Sequence, residues 1–174
     1  MSYKILDCTL RDGGYYTDWK FDTKLVRQLV KSLDSNNVDI IELGYKSPVI
    51  GGPYRKCNDG FINSIINFKV EADLAFMIDV KDYVINNKIN KSLIKDIIKP
   101  SSVFKVCRVA AKYNEIHYIP KIVKILQNLG YDVICNLMAI SKTLKEEVEA
   151  YTNITQNLNL KAIYIADSYG ALYP

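Results

Sequence analysis

An arginine and an aspartate stand side by side near the start of the chain, where a short apolar segment ends. Arg11 and Asp12 follow residues 4–10, and Gly13 and Gly14 come directly after them. A carboxylate is a hard oxygen ligand that suits Mg²⁺ or Mn²⁺. A guanidinium is a permanently charged fork for a carboxylate or an enolate oxygen. The pair therefore indicates chemistry on a 2-oxo acid, in which a metal polarises the carbonyl and the arginine stabilises the negative oxygen.

Polar residues recur where the later apolar segments end. They are Glu42, Asp79, Arg108, Asn136, Asp167 and Ser168. The carboxyl ends of parallel strands carry the site both in a closed (β/α) barrel and in an open doubly wound sheet. The pattern therefore predicts a site at one end of a sheet, and by itself it leaves both architectures open.

The elements that must position these residues alternate between strands and helices. Strands are predicted at residues 4–10, 39–45, 74–80, 103–111, 131–140 and 161–170, and helices at 21–37, 58–69, 90–99, 116–129 and 143–158. Asp22 is the predicted N-cap of the first helix, and Pro120 is expected in the first turn of the fourth. This alternation predicts one α/β domain over residues 1–174 with a parallel sheet.

The segment DCTLRDGG at residues 7–14 resembles the D-x-T-L-R-D-G signature of the DRE-TIM metallolyases, a superfamily of HMGL-like TIM barrels. Residues 108–115, 128–138 and 166–174 are similar, in that order, to the fourth, fifth and sixth strands of its 4-hydroxy-2-oxovalerate aldolases. The resemblance implies a partial TIM barrel of about six parallel strands with outer helices. It also implies a metal-dependent aldolase that cleaves a 4-hydroxy-2-oxo acid through a pyruvate enolate.

The resemblance carries functions over to individual positions of the motif. Asp12 would be a ligand of a divalent metal (Mn²⁺ or Mg²⁺), and Arg11 would stabilise the pyruvate enolate. Ser168 would lie in the substrate's carboxylate site. Polar lining of the substrate site is expected from Glu42, Arg108 and Asn136. Asp7 has two interpretations: a buried carboxylate that holds the Arg11 loop, or a group that takes part in the chemistry.

The chain departs from the family at the position of the general base. Where the aldolases have a histidine, two residues after the last glycine of the motif, this sequence has Tyr15. A phenol has an ordinary pKa of about 10, so it is a poor base at neutral pH unless a metal or an arginine acts on it. Tyr15 is our candidate for proton transfer, and the substrate can differ from that of the aldolases.

A second departure concerns the other metal ligands, which in the family form a His-x-His pair on the seventh strand. The one histidine here, His117, is expected on a helix surface, and the sequence ends at Pro174 after the sixth predicted strand. We therefore expect a truncated barrel with two open strand edges, in which the six predicted strands lie side by side in the order they have along the chain. A further chain segment or a second copy, as in a homo-oligomer, would cover them.

Composition narrows the class of protein. Hydrophobic residues make up 49% and charged residues 24%, and the net charge of +4 is too small to indicate nucleic-acid binding. No segment reaches the roughly 20 apolar residues of a membrane span, and we expect a cytoplasmic protein that acts on a small molecule. The four cysteines form no CxxC pair, so free thiols are expected.

Two alternatives remain open from the sequence. One is a condensing enzyme of the same superfamily that joins a 2-oxo acid to an acyl-CoA, although GGYYTDW lacks the Gly-Glu-Gln continuation associated with those synthases. The other is a non-catalytic remnant of the barrel.

Overall fold

The computed structural model describes residues 3–172 and contains one six-stranded parallel sheet. The strands are β1 (Leu6–Asp7), β2 (Ile40–Tyr45), β3 (Asp73–Asp79), β4 (Val84–Ile85), β5 (Lys88–Ile89), β6 (Val106–Ala111), β7 (Asp132–Leu137) and β8 (Ala162–Ile165). The main sheet runs in the order β1-β2-β3-β6-β7-β8, and β4 pairs with β5 in a separate antiparallel hairpin. With helices around it, this half-barrel confirms the predicted partial TIM barrel and its strand order.

The helices connect successive strands. They are α1 (Thr9–Thr17), α2 (Thr23–Ser35), α3 (Pro53–Lys56), α4 (Asp59–Ile65), α5 (Lys91–Ile97), α6 (Ile119–Asn128) and α7 (Lys145–Thr155). Helix α2 begins at the predicted cap, because the Asp22 carboxylate accepts a hydrogen bond from the backbone N–H of Leu25 at 2.9 Å. Pro120 lies in the first turn of α6, as predicted.

The first strand is much shorter than predicted, and α1 takes over its second half. The Asp7 carboxylate accepts hydrogen bonds from the backbone N–H of Thr9 at 3.1 Å and from the Thr9 hydroxyl at 2.8 Å, which turns the chain out of β1. Arg11 and Asp12 therefore lie on a helix and not at a strand end. Gly13 and Gly14 are also inside that helix and do not form a turn. Asp7 is half-buried and bonds to Thr9, two residues before Arg11, and both of its interpretations stay predictions.

Side chains on the inner face of the half-barrel form two layers. Ile40, Ala75, Val106 and Ile134 form a buried apolar cluster near the start of their strands. Ala162 of β8 packs against this cluster. The second layer lies two residues further along each of these five strands, on the same face, and consists of Glu42, Met77, Arg108, Asn136 and Tyr164. The apolar layer thus supports a mostly polar one, nearer the carboxyl ends of the strands.

The other face of the sheet packs against the helices and forms the main core. Val26, Val30, Ile62, Ile94, Ile122 and Leu126 are the helix residues that fill this layer. Strands β1 and β8 are the two edges of the described sheet. On β8, Ile163 and Ile165 remain 43% and 52% exposed. That a further segment or a second copy covers these edges stays a prediction.

Two further expectations concern the chain as a whole. Cys8, Cys57, Cys107 and Cys135 are free thiols. Between residues 3 and 172, none of the helices combines the length and apolar character needed to cross a membrane.

Candidate active site

A cavity of about 560 Å³ opens at the carboxyl ends of the strands. Among the residues that line it are Arg11, Asp12, Tyr15, Arg108, Asn136 and Ser168, all of them predicted from the sequence. Glu42, which was predicted as polar lining, is fully buried and is bonded to two of the lining side chains. Asp79 lies outside the lining and instead pairs with Lys81 at 2.7 Å.

A buried carboxylate organises the arginines beside the cavity. Glu42 Oε1 accepts a hydrogen bond from Arg11 Nε at 2.8 Å and another from Arg108 Nη2 at 2.8 Å. Burial opposes the positive charge of Arg11, but the attraction and hydrogen bond of Glu42 outweigh it and raise the pKa of Arg11. Both guanidinium groups are therefore held in fixed positions and stay charged.

Two polar atoms of this cluster keep unused hydrogen-bonding capacity. Within residues 3–172, Arg108 Nε and Glu42 Oε2 are buried and make no hydrogen bond. The Arg108 side chain is only 7% exposed, and its guanidinium carbon lies 5.8 Å from the centre of the Tyr164 ring. A buried polar atom without a partner is costly unless a ligand satisfies it. Arg108 Nε can donate to a bound anion, whereas Glu42 Oε2 needs a hydrogen-bond donor from the ligand.

Helix α1 carries three of the predicted residues that line the cavity, Arg11, Asp12 and Tyr15. Arg11 and Tyr15 are four residues apart and share one helix face. The Tyr15 hydroxyl lies 2.8 Å from the hydroxyl of Tyr45. Burial, and secondly the hydrogen bond with Tyr15, raises the pKa of Tyr45, which keeps Tyr45 protonated at neutral pH. The cavity thus holds a charged guanidinium and a pair of phenols side by side.

Tyr45 is a site residue that the sequence interpretation missed. Strict alternation along β2 would put it on the face opposite to Glu42. The pairing of β2 with β3 shifts register between Glu42 and Gly44, and Tyr45 lines the same cavity. Such a bulge re-aims a side chain, and an apolar run with one glycine gives only a weak signal for it.

The opposite side of the cavity is formed by the segments that follow β7 and β8. Asn136 is 6% exposed and lines the cavity from β7. The Ser168 hydroxyl accepts a hydrogen bond from the backbone N–H of Ala139 at 2.9 Å and so joins the two segments. Asp167 also lines the cavity, and the backbone N–H of Leu172 is the main cause that lowers the pKa of Asp167.

The described residues do not by themselves form a metal site. Between residues 3 and 172, no group of three or more His, Cys, Asp or Glu side chains is arranged to hold a metal ion. Asp12 is 59% exposed and bonds to Arg11. Cys8 lies 3.5 Å from Asp12, but burial raises the pKa of its thiol. His117 lies outside the cavity lining, in a 3₁₀ segment where its ring contacts Tyr118.

Comparison with known proteins gives relatives named as 4-hydroxy-2-oxovalerate aldolases. The chain is 25% identical to a 4-hydroxy-2-oxovalerate aldolase of Carboxydothermus hydrogenoformans, over 98% of this chain and 50% of the relative. It is 25% identical to 4-hydroxy-2-oxovalerate aldolase 6 of Rhodococcus jostii, over 97% of this chain and 47% of the relative. The chain thus spans about half the length of the curated relatives it matches.

A solved structure and a family model cover nearly all of the chain. The structure is the N-terminal domain of a candidate aldolase from Bacteroides vulgatus, with a TM-score of 0.74 and 23% identity. The alignment covers 99% of this chain and 56% of that one, and it supports the fold. The HMGL-like family model matches residues 2–174. The chain therefore belongs to the HMGL-like family.

Proposed function

We propose that this chain carries the enolate-binding site of a carbon–carbon lyase of the aldolase type, acting on a 4-hydroxy-2-oxo acid. The observation that carries the proposal is the buried Glu42 carboxylate, which holds Arg11 and Arg108 beside the cavity at the strand ends. The names of the relatives in the preceding comparison support the same substrate class.

The proposed reaction uses the guanidinium groups as an anion site. The substrate's carboxylate and C2 oxygen lie toward Arg11 and Arg108. The C4 hydroxyl loses its proton, the C3–C4 bond breaks, and C4 leaves as an aldehyde. The electron pair of the broken bond forms the C2–C3 double bond, and the C2 oxygen becomes an enolate that accepts hydrogen bonds from Arg11. A fixed, charged donor at that oxygen lowers the barrier because it needs no reorganisation. Protonation of C3 then gives pyruvate.

We assign the proton transfers to Tyr15, which in its phenolate form would accept the C4 hydroxyl proton and then return it to C3 of the enolate. Its hydroxyl lies in the cavity, on the same face of α1 as Arg11. Tyr45, which burial keeps protonated, can donate its hydrogen bond to the Tyr15 oxygen. That hydrogen bond holds the Tyr15 oxygen in place beside the bound substrate.

Metal dependence is part of the proposal only through Asp12. An Mn²⁺ or Mg²⁺ ion bound there would polarise the C2 carbonyl of the substrate. It would need further oxygen or nitrogen ligands, because the described residues supply no complete set. Stabilisation of the enolate and the proton transfers are therefore assigned to side chains of this chain.

Oxalate tests the anion site directly, because it has the planar shape and charge of a pyruvate enolate. We expect the chain to bind oxalate in calorimetric titrations and to catalyse exchange of the pyruvate methyl protons with D₂O, measured by proton NMR. Arg11→Lys keeps the charge and loses the fork. It should weaken oxalate binding by about tenfold or more and slow the exchange by about 100- to 1000-fold.

Arg27→Lys is the matched control for this experiment. Arg27 also uses its fork, which donates to the carbonyl oxygens of Ser64 and Ile65 on the outer side of the domain. This variant should leave oxalate affinity and exchange unchanged. Absence of oxalate binding, or equal binding by the Arg11 variant, would contradict the proposed function.

A further inference from the structure

Helix α1 is followed by two residues with an unusual backbone conformation. Asp18 and Trp19 have φ angles of 52° and 53°. Positive φ is uncommon outside glycine, and for a bulky residue it is a genuine outlier. Such conformations persist where the surrounding structure imposes them, and they concentrate at functional sites. Here they turn the Trp19 side chain back against the helix that carries Arg11 and Tyr15.

The Trp19 indole contacts α1 at three points. Its Nε1–H donates a hydrogen bond to the backbone carbonyl oxygen of Arg11 at 3.1 Å. The ring lies so close to Gly14 that a Cβ at that position would be 2.1 Å from the indole. The ring also packs edge-on against Tyr15, with centroids 4.8 Å apart. Trp19 is 7% exposed, so a single buried side chain contacts both proposed catalytic residues.

The segment after β2 holds the indole from its other side. The Arg55 guanidinium carbon lies 4.3 Å from the centre of the Trp19 ring, at cation–π distance. The backbone N–H of Gly52 donates to the Asp18 carbonyl oxygen at 2.8 Å, and the N–H of Tyr54 donates to that of Trp19 at 3.3 Å. The indole is therefore clamped between this segment and α1.

We propose that Trp19 is a positioning residue that holds Arg11 and Tyr15 in the cavity through its indole N–H and ring. The assignment of the enolate to Arg11 rests on the proposed function. The position of the Arg11 side chain can be measured whether or not the proposed function is correct. Neither Trp19 nor Arg55 lines the cavity, so both act only through the residues they contact.

The sequence contains one tryptophan, which permits a sharp substitution. Production in a tryptophan auxotroph with 3-benzothienylalanine replaces the indole by a ring of the same shape that lacks the N–H. The first readout is the NMR signal of Arg11 Nε–H, identified by its loss in Arg11→Lys. In the unmodified chain this proton should exchange slowly with solvent, because it donates to the buried Glu42.

Loss of the indole N–H should speed exchange of the Arg11 Nε proton by about tenfold and weaken oxalate binding by a similar factor. Trp19→Phe, which also reduces the ring, should have the larger effect on both. The control is Tyr131→Phe, which removes a comparable bond from an aromatic side chain to a carbonyl oxygen. The Tyr131 hydroxyl donates to Lys99 at 2.5 Å, outside the cavity lining. The Tyr131→Phe variant should have a lower melting temperature and an unchanged Arg11 Nε–H signal.

The two proposals fail in different ways. If the unmodified chain does not bind oxalate, the proposed function fails, while the Arg11 signal still decides about Trp19. If both Trp19 replacements leave that signal unchanged, the positioning proposal is wrong whatever the oxalate result. It is also wrong if Tyr131→Phe alters the Arg11 signal to the same extent, because general loosening would then explain the effect.

Discussion

Charged side chains gather at both ends of the sheet, and the two groups are arranged differently. At the amino ends of the strands, Asp73 binds Lys161 at 2.7 Å and Lys105 at 3.0 Å. Lys161 also binds Asp132 at 3.0 Å. These side chains are 19% to 62% exposed. At this end every named charge has an opposite charge as its partner, and solvent reaches all of them.

At the carboxyl ends the corresponding group is buried and incompletely paired. Glu42 is fully buried, and the side chains of Arg11 and Arg108 are 12% and 7% exposed. Buried polar atoms of Glu42 and Arg108 have no partner in the described part of the chain. A buried polar atom without a partner lowers the stability of the fold. A ligand that supplies the missing partner recovers that cost, which favours its binding. The amino end therefore contributes stability, whereas the carboxyl end is where we propose that a ligand binds, as in (β/α) barrels generally.

The largest expected difference between the two ends is in the free energy of unfolding. Glu42→Gln removes the buried counter-charge shared by Arg11 and Arg108 and should cost about 3 kcal/mol. Because the site is buried, the cost should change little between low and high salt. Urea denaturation at two salt concentrations measures both quantities. A cost below about 1 kcal/mol, typical of an exposed pair, would remove the contrast between the ends.

The sequence predicted much of the carboxyl-end site because its residues follow a simple period. Glu42, Arg108 and Asn136 each come two residues after an apolar residue of the inner layer, so alternation alone puts them on one face. The strand order followed from the resemblance to a TIM barrel, because alternation of strands and helices also permits an open doubly wound sheet. Asp22 was recognisable as a cap from its own chemistry.

The missed features depend on contacts that no local pattern encodes. Helix α1 contains Gly13 and Gly14, which are poor helix formers, and its first residues continue the apolar run of β1, so strand was the natural prediction. Trp19 reaches α1 only through its unusual backbone angles. The hairpin β4–β5 differs, because the sequence does contain a signal for it. Its two-residue turn is Asn86–Asn87, and asparagine tolerates the positive φ that both residues adopt.

Replacing each of the two glycines of the motif by alanine should change the free energy of unfolding in opposite directions. A Cβ at Gly14 would lie 2.1 Å from Trp19, so Gly14→Ala should destabilise by about 2 kcal/mol through overpacking. A Cβ at Gly13 would lie 3.7 Å from Phe21, an ordinary contact. Gly13→Ala should then stabilise by up to about 1 kcal/mol through helix propensity. Urea denaturation of both variants decides, and effects of the same sign would refute the assignment of Gly14 to the indole contact.

The smallest expected effect lies at the amino end and depends on pH. Burial alone would raise the pKa of Asp73, but the hydrogen bonds and charges of Lys161 and Lys105 outweigh it and lower that pKa. A carboxylate with a lowered pKa stabilises the folded state above its unfolded pKa of about 3.9. The contribution is lost as the pH falls through the folded pKa.

Asp73→Asn should therefore cost at most about 1 kcal/mol at pH 7, because the surrounding pairs are partly exposed. The difference in unfolding free energy between this variant and the unmodified chain should shrink toward zero as the pH falls through the lowered folded pKa of Asp73, because both chains then carry a neutral side chain. It should also shrink in about 1 M salt, which screens exposed charges over about 3 Å. Urea titrations across this pH range test both trends. A cost that persists at acid pH and high salt would mean that Asp73 acts through packing, and the amino end would then resemble the buried cluster around Glu42.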